Sequence, residues 1–303
     1  MKKIIFILLV MLTTVLVGCD TKKKIEGETI EVKHSKGTVY VSTNIKKAAV
    51  FDYGVLDIID NLEIDVEVAT PTSNIPNYLN HFQDSFDIGT IKEANLEKVY
   101  EFNPDVIFIS SRLEASYDDL NEIAPTIYIE IDSTKYLEDL KNNVLLVSKL
   151  FHVEEKADAL ISSIENDILE VKEITKDFNK KALIVLVNGN SMSAYGSGSR
   201  FGLIHDVLGI KEVDPNINIS THGQQITYEY LSSKNPDIIF AIDRASVVEG
   251  TPSSNIFANV MMENVTAYKN NDIHYLNATA WYIVSGGITS TKEMILNIKN
   301  AIE

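Results

Sequence analysis

The chain has 303 residues, and its 43 acidic residues against 27 lysines and arginines give a formal charge of −16 at neutral pH. Such an acidic protein is a poor partner for nucleic acid or an anionic lipid surface, because like charges repel. A single cysteine excludes an intramolecular disulfide, so an apolar core has to stabilise the fold. The chain is long enough for two lobes of ordinary domain size.

The N-terminus predicts an export signal. Lys2 and Lys3 precede the apolar run from Ile4 to Val17, which is too short to span a bilayer by itself. We interpret residues 1–18 as a signal peptide, whose removal leaves 25 basic and 43 acidic residues and a formal charge of −18. The polar, lysine-rich stretch that follows, residues 19–36, predicts a flexible tether.

The only cysteine lies directly after this signal. The sequence Leu16-Val17-Gly18-Cys19 resembles the bacterial lipobox, which implies that Cys19 is lipidated and becomes the first residue of the mature protein. A lipid on Cys19 would anchor the protein at the outer face of the cell membrane. The alternative is an ordinary cleavage site followed by a free or buried thiol.

An internal repeat relates the two halves of the chain. Asn95–Arg112 and Thr227–Arg244 align without gaps at an offset of 132 residues, and seven of the eighteen positions are identical. In both copies an Asn-Pro pair ends a short helical stretch, because proline lacks the backbone donor and clashes with the preceding turn. An apolar run follows, Val106 to Ile109 or Ile238 to Ile242, which is typical of a strand covered on both faces. The halves are therefore predicted to share one α/β unit.

Further apolar runs predict a small, mainly parallel sheet in each half, with helices on both faces. They are Ala48 to Phe51, Val66 to Ala69 and Ile127 to Ile129 in the first half, and Ala182 to Val187 and His274 to Leu276 in the second. The fold class is therefore α/β, with two similar lobes.

A long helix is predicted between the halves. Residues 154–178 repeat apolar side chains at helical spacing over roughly 36 Å. We predict that this helix joins an N-terminal lobe, residues 37–153, to a C-terminal lobe, residues 179–303; the alternative is a core helix inside one domain. A helical joint is stiffer than a two-strand hinge, so we expect small lobe movements on binding.

An arginine follows the central strand in each copy of the repeat. Ligands of open α/β sheets bind beyond the carboxyl ends of the strands, and Arg112 and Arg244 stand just past those ends. Two facing lobes would bring these planar, charged groups to one cleft, where they would select an anionic, oxygen-rich ligand. The alternative is that each arginine pairs with a nearby acid, Asp243 or Glu114.

Three further polar residues are candidates for the same site. Arg200 follows the glycine- and serine-rich stretch 196–199 at the start of a helical pattern, where backbone donors favour an anion. His222 and Tyr282 present an imidazole nitrogen and a phenol oxygen, which are competent ligands for iron(III), although a lone His or Tyr more often has a surface or structural role. No His-x-x-x-His pair or His/Asp cluster predicts a site for a bare metal ion.

Five motifs together carry a family resemblance: Val50–Gly54, Ala124–Tyr128, Ser199–Asp206, Ser220–Gln224 and Thr279–Tyr282. Over essentially its whole mature length, the chain resembles the siderophore-binding lipoproteins of Gram-positive ABC importers. These belong to the helix-linked class that includes the vitamin B12 and hydroxamate-siderophore binders. The resemblance is strongest to the petrobactin and catecholate-siderophore binders of bacilli.

The resemblance implies an anionic ferric siderophore as ligand. In that family three arginines hold the iron-catecholate centre, and the matching positions are Arg112, Arg200 and Arg244. His222 and Tyr282 match the pair that completes iron coordination in relatives that accept tetradentate catecholates. Fe(III) would then arrive as part of the ligand, and no permanently bound cofactor is expected. Trp281 adjoins Tyr282 in sequence and is expected to contact the ligand.

The resemblance also implies protein partners, namely the permease of an ABC importer and its ATPase. One glutamate from each lobe docks on arginines of the permease in this family, which fits Glu97 and Glu229, two residues that the repeat relates. We expect the binding protein itself to be a monomer.

Three other functions are alternatives to this prediction. A haem or cobalamin binder of the same fold could use two arginines for propionates and Tyr282 or His222 as an axial ligand. An exported lipoprotein hydrolase is disfavoured, because the sequence lacks Gly-x-Ser-x-Gly and its sole cysteine is the predicted anchor. An adhesion or scaffolding lipoprotein would have no buried arginine cluster. We therefore predict a binding protein that is not an enzyme.

Overall fold

The computed structural model describes residues 27–253 and 255–303. The predicted signal peptide, the lipidation site at Cys19 and the start of the predicted tether lie outside these residues. Within the described ranges, no helix has both the length and the apolar character needed to cross a membrane.

A β-hairpin precedes the first lobe. Strands β1 (Thr29–His34) and β2 (Gly37–Ser42) pair antiparallel across a two-residue turn. Alternate side chains point inward, so that Val32, Val39 and Val41 are buried in the core. The prediction of a flexible tether is therefore wrong beyond residue 28, because this alternation of valine with polar residues forms an ordered hairpin.

The first lobe contains a five-stranded sheet. Its strands are β3 (Lys47–Val50), β4 (Glu67–Thr70), β5 (Phe86–Asp87), β8 (Val106–Ile109) and β9 (Thr126–Tyr128), with the short pair β6 (Gly89–Thr90) and β7 (Glu93–Ala94) beside them. Its helices are α1 (Tyr53–Asn61), α2 (Leu96–Phe102), α3 (Tyr117–Ile123) and α4 (Tyr136–Leu150). The order is β5-β4-β3-β8-β9, and every neighbouring pair is parallel, as predicted.

One long helix leads from the first sheet to the second. Helix α5 (Glu154–Thr175) ends three residues before the predicted end and turns Ala157, Ile164, Ile168 and Val171 into the core. It packs against α4 and against the C-terminal helix α9 (Ile288–Ile302), which also contacts α1. The lobes are therefore held together along one side by helices.

The second lobe also contains a five-stranded sheet. Its strands are β10 (Ala182–Asn188), β11 (Ser191–Tyr195), β12 (Gln224–Ile226), β13 (Ile238–Asp243) and β14 (Ile273–Tyr275), in the order β12-β11-β10-β13-β14. Its remaining helices are α6 (Tyr228–Lys234), α7 (Arg244–Val248) and α8 (Thr266–Lys269). Strands β10, β13 and β14 are parallel, as predicted, whereas β11 runs antiparallel to both β10 and β12. A two-residue turn joins β10 to β11, and such a short connection requires antiparallel strands.

The two copies of the repeat fold alike. The N-caps of α2 and α6, Asn95 and Thr227, accept hydrogen bonds from backbone N–H groups in the first turn. Each helix ends at an asparagine in the left-handed conformation, Asn103 (φ 55°) or Asn235 (φ 47°). The chain then reverses within three residues into β8 or β13. The first turn of each helix therefore lies toward the carboxyl edge of its sheet.

Candidate ligand-binding site

A cleft of about 1160 Å³ lies between the lobes. The first lobe lines it with the start of α1, the residues that follow β8 and the segment 128–139. The second lobe contributes the segments 198–200, 219–221 and 285–286. Arg112 and Arg200 line the cleft from opposite lobes.

One backbone oxygen accepts hydrogen bonds from an arginine of each lobe. Arg112 lies in the 3₁₀ turn Ser111–Ser116 after β8, and its Nη2 donates to the carbonyl oxygen of Tyr282 over 2.9 Å. Arg200 follows β11, and its Nη2 donates to the same oxygen over 2.7 Å. Positive charges from both lobes therefore meet at one atom.

The side chain of Tyr282 binds the third arginine. Arg244, the first residue of α7, donates from Nε to the Tyr282 hydroxyl over 2.9 Å and from Nη1 to Oδ1 of Asn188 over 2.7 Å. The guanidinium carbon of Arg200 lies 4.1 Å from the centre of the Tyr282 ring, a cation–π contact. We call Arg112, Arg200, Arg244 and Tyr282 the arginine cluster.

The two acids that could pair locally with the arginines have other partners. Asp243 caps α7 by accepting a hydrogen bond from the N–H of Ala245 over 3.1 Å, and Glu114 pairs with Lys36. Within the described residues, only Arg244 of the cluster has an acidic side chain within 4 Å, namely Glu249 at 3.6 Å. The Glu249 side chain is 61% exposed. Exposed pairs of this kind contribute about 0–1 kcal/mol, so the positive charge of the cluster is largely uncompensated.

Two side chains of the cluster, Arg200 and Tyr282, have shifted pKa values. Burial lowers the pKa of Arg200; the Tyr282 phenol opposes this shift, and the charge of Arg112 adds to it. Burial raises the pKa of the Tyr282 phenol, but the hydrogen bond from Arg244 and the charges of Arg200 and Arg244 outweigh burial, so the pKa lies below the ordinary value for tyrosine. The cluster therefore stabilises negative charge on oxygen.

His222 is exposed in the loop before β12, and its neighbours Ser220 and Thr221 line the cleft. Over residues 27–253 and 255–303, no three His, Cys, Asp or Glu side chains are grouped closely enough to hold a bare metal ion. Iron ligation by His222 and Tyr282 therefore stays a prediction for a metal that is delivered with its chelator.

The expected ligand contact of Trp281 is corrected by the structure. Its side chain is 2% exposed and packs in the core, with its ring centre 6.4 Å from that of Phe201. Successive residues of the π-helical turn Thr279–Ile283 point in different directions, so Tyr282 faces the arginines while Trp281 faces inward.

The sequence contains two further signals of this site. Asn188 ends β10 at the carboxyl edge, the position that ligand-site residues favour, and it orients Arg244. The chain also has only three arginines against 24 lysines, and all three belong to the cluster. Because arginine presents a rigid fork of donors that lysine lacks, such selective use indicates recognition of oxygen anions.

The acids proposed for docking lie on the repeated helices. Glu97 and Glu229 are exposed in the first turns of α2 and α6. Those turns lie toward the carboxyl edges of the two sheets, the same edges from which Arg112 and Arg244 project.

Known proteins share this arrangement of sheets and helices. The chain is 39% identical to the petrobactin-binding protein YclQ of Bacillus subtilis over the full length of both chains. It is 30% identical to the ferric-anguibactin-binding protein FatB of Vibrio anguillarum, over 93% of this chain and 92% of FatB.

Solved structures of siderophore-binding proteins are also similar to this chain. The crystal structure of YclQ matches with a TM-score of 0.88 at 40% identity, covering 91% of this chain and 99% of YclQ. The siderophore-binding protein BauB, bound to a complex of two acinetobactin molecules and ferric iron, matches with a TM-score of 0.83 at 28% identity over 91% of this chain and 99% of BauB. A family model described as periplasmic binding protein matches residues 49–280. The chain therefore belongs to the periplasmic binding protein family, and it is a substrate-binding protein, not an enzyme.

Proposed function

We propose that this protein is the substrate-binding component of an ABC importer and captures an anionic ferric siderophore for iron uptake. The siderophore would be a catecholate or mixed catecholate such as petrobactin. The observation that carries this proposal is the meeting of Arg112 and Arg200, from opposite lobes, at the carbonyl oxygen of Tyr282, with Arg244 on its hydroxyl. The likeness to YclQ, a petrobactin-binding protein, supports the ligand class.

The positive charge of the arginine cluster explains the proposed preference for a ferric catecholate. A ferric tris-catecholate carries about three negative charges, which three guanidinium groups can match. At 4 Å and the effective dielectric constant typical of proteins, each close pair of unit charges is worth about 4 kcal/mol before desolvation. The acidic surface repels such a ligand at long range, but salt screens that repulsion over a Debye length of about 8 Å. An uncharged hydroxamate chelate gains little from the cluster.

Tyr282 and His222 are proposed to complete the coordination of iron in tetradentate chelates. A phenol whose pKa is held below its ordinary value releases its proton more readily when its oxygen binds Fe(III). The iron enters and leaves as part of the ligand.

The protein is also proposed to be anchored to the membrane and to dock on a permease. A lipid on Cys19 would anchor it at the outer face of the cell membrane, as the lipobox resemblance implies. Glu97 and Glu229 would dock the two lobes on arginines of the permease, which works with its ATPase. Their exposure at the carboxyl edges of both sheets supports this role, because a permease that receives the ligand has to contact the mouth of the cleft.

Titration of the mature protein with chelates of different charge tests the proposed function. Fluorescence of the sole tryptophan, Trp281, is followed while a ferric tris-catecholate, an uncharged ferric trihydroxamate or haem is added. We expect saturable quenching by the catecholate and at least about tenfold weaker binding of the hydroxamate. Tighter binding of haem or of the hydroxamate would refute the proposal.

A further inference from the structure

A buried carboxylate of the first lobe caps a helix of the second. Asp57 in α1 has no exposed surface, and its two oxygens accept hydrogen bonds from the backbone N–H groups of Thr289 (3.1 Å) and Ser290 (3.0 Å). These donors lie in the first turn of α9 and are normally satisfied by the N-cap side chain. The N-cap of α9 is Gly287, which has no side chain, so Asp57 provides the acceptor from a site 232 residues away in sequence.

The residues around Asp57 leave space for its carboxylate and form polar contacts with it. A Cβ atom at Gly287 would lie 2.1 Å from Oδ2 of Asp57, so any larger residue would displace it. The side-chain amide of Asn61 donates to Oδ1 over 2.7 Å and to Oγ1 of Thr289 over 2.9 Å, and the Tyr78 hydroxyl lies 3.4 Å from Oδ2. Burial raises the pKa of Asp57, against the effect of the backbone donors. A local N-cap would satisfy the same donors without burying a charge, so helix capping alone does not explain this residue.

Two other contacts hold the same part of the second lobe against the first. The Tyr136 hydroxyl, at the start of α4, accepts a hydrogen bond from the N–H of Gly286 over 3.3 Å and pairs with Oγ1 of Thr291 over 2.8 Å. Arg112 binds the carbonyl oxygen of Tyr282. Residues 282–291, which we call the bridging segment, are thus tied to the first lobe at both ends and in the middle.

We propose that Asp57 is a positioning residue for the ligand site. By capping α9 from the opposite lobe, it fixes the bridging segment and thereby places the carbonyl oxygen and phenol of Tyr282, on which the three arginines converge. Its effect on ligand affinity rests on the proposed function, whereas its effect on the bridging segment does not.

Hydrogen exchange on the ligand-free protein tests the positioning role independently of any ligand. In Asp57→Asn, an amide NH₂ group would face one of the two backbone donors, so the first turn of α9 loses an acceptor while the side chain keeps its shape. We expect faster exchange in peptides that cover residues 282–291 and unchanged exchange in β8 and β13. Asp60→Asn is the matched control, because Asp60 lies on the same helix but pairs at 2.7 Å with His81.

Ligand titration tests the consequence for binding. We expect Asp57→Asn to bind the ferric tris-catecholate about tenfold more weakly than the wild type, the cost of misplacing one charge-assisted contact, and Asp60→Asn to bind it normally. Combining Asp57→Asn with Arg112→Ala should cost less than the sum of the single effects, because Asp57 places the carbonyl oxygen of Tyr282 that holds Arg112. A merely structural role would give additive losses. Gly287→Ala, which pushes on the same carboxylate, should reproduce the exchange and affinity changes.

The outcomes separate the two proposals. Unchanged exchange at residues 282–291 in both Asp57→Asn and Gly287→Ala would overturn the positioning role, as would faster exchange with wild-type affinity. If the wild type binds no ferric catecholate while the bridging segment still loosens in Asp57→Asn, the proposed function fails and the structural half of this inference stands.

Discussion

Tyr282 organises the ligand site at the level of single residues. Its carbonyl oxygen and hydroxyl occupy donors of all three arginines, and its ring covers the guanidinium group of Arg200. Ligand oxygens that bind the remaining donors of these arginines would find the guanidinium groups already gathered. Such preorganisation reduces the ordering cost of binding.

Substitution of each arginine should show that both charge and fork geometry matter. We expect Arg112→Ala, Arg200→Ala and Arg244→Ala each to weaken binding of a ferric tris-catecholate by about tenfold or more, since charge-assisted hydrogen bonds contribute about 1.5–3 kcal/mol. The matched lysine variants keep the charge and lose the fork, so their affinities should be intermediate. Fluorescence titration measures both series, and unchanged affinity in all three alanine variants would remove the cluster from the site.

Removal of the Tyr282 hydroxyl should discriminate between classes of chelate. Tyr282→Phe leaves the carbonyl and the ring in place but deletes a potential iron ligand, so tetradentate catecholates should lose more affinity than hexadentate ones. His222→Ala should show the same preference. The visible charge-transfer band of the complex reports iron–phenolate bonding, and equal losses with both chelate classes would argue against ligation.

The pH dependence of this step follows from the phenol. Ligation requires the deprotonated form, so affinity for tetradentate chelates should fall as pH falls and protons compete with iron. Because the pKa of Tyr282 lies below the ordinary tyrosine value, the fall should begin at lower pH than for an unperturbed phenol. In Tyr282→Phe this part of the pH dependence should disappear. Titrations repeated over a pH series would detect it.

At the level of elements, apolar runs predicted the strands well. The seven strands expected from such runs lie within one residue of their predicted bounds, because strands buried on both faces need continuous apolar sequence. The hairpin β1–β2 and strands β11 and β12 were missed, since short antiparallel strands alternate polar and apolar residues and resemble loops. The three arginines were found because they follow repeated or glycine-rich motifs.

Other features depend on contacts that local sequence does not encode. The side to which Trp281 points is set by the π-helical turn that contains it. The contact of Asp57 with α9 joins residues more than two hundred positions apart, so no periodicity or spacing could reveal it. Asn188 is an intermediate case. Its position at a strand end can be predicted from the sequence, whereas its hydrogen bond with Arg244 cannot.

Helix α5 should contribute strongly to stability through its buried face. We expect Ile164→Ala, which removes a side chain that is 1% exposed, to lower the free energy of unfolding by about 2–5 kcal/mol. Leu169→Ala on the same helix removes a side chain that is 57% exposed and should cost far less. Denaturant unfolding monitored by circular dichroism compares the two variants, and equal losses would contradict the assignment of faces.

At the scale of the whole molecule, the acidic surface and the arginine cluster have opposite effects on an anionic ligand. The chain is acidic overall, while two arginines line the cleft and share Tyr282 with the third, Arg244. Capture is therefore expected to depend on contact inside the cleft rather than on long-range attraction. The helices along one side and the contacts of the bridging segment also favour small lobe movements.

A crystal structure of the protein with a bound ferric tris-catecholate is the most direct measurement. We predict that the iron centre lies in the cleft between the lobes, with its catecholate oxygens hydrogen-bonded to the guanidinium groups of Arg112, Arg200 and Arg244. A chelate bound elsewhere, or bound in the cleft without contact to these three side chains, would contradict the account.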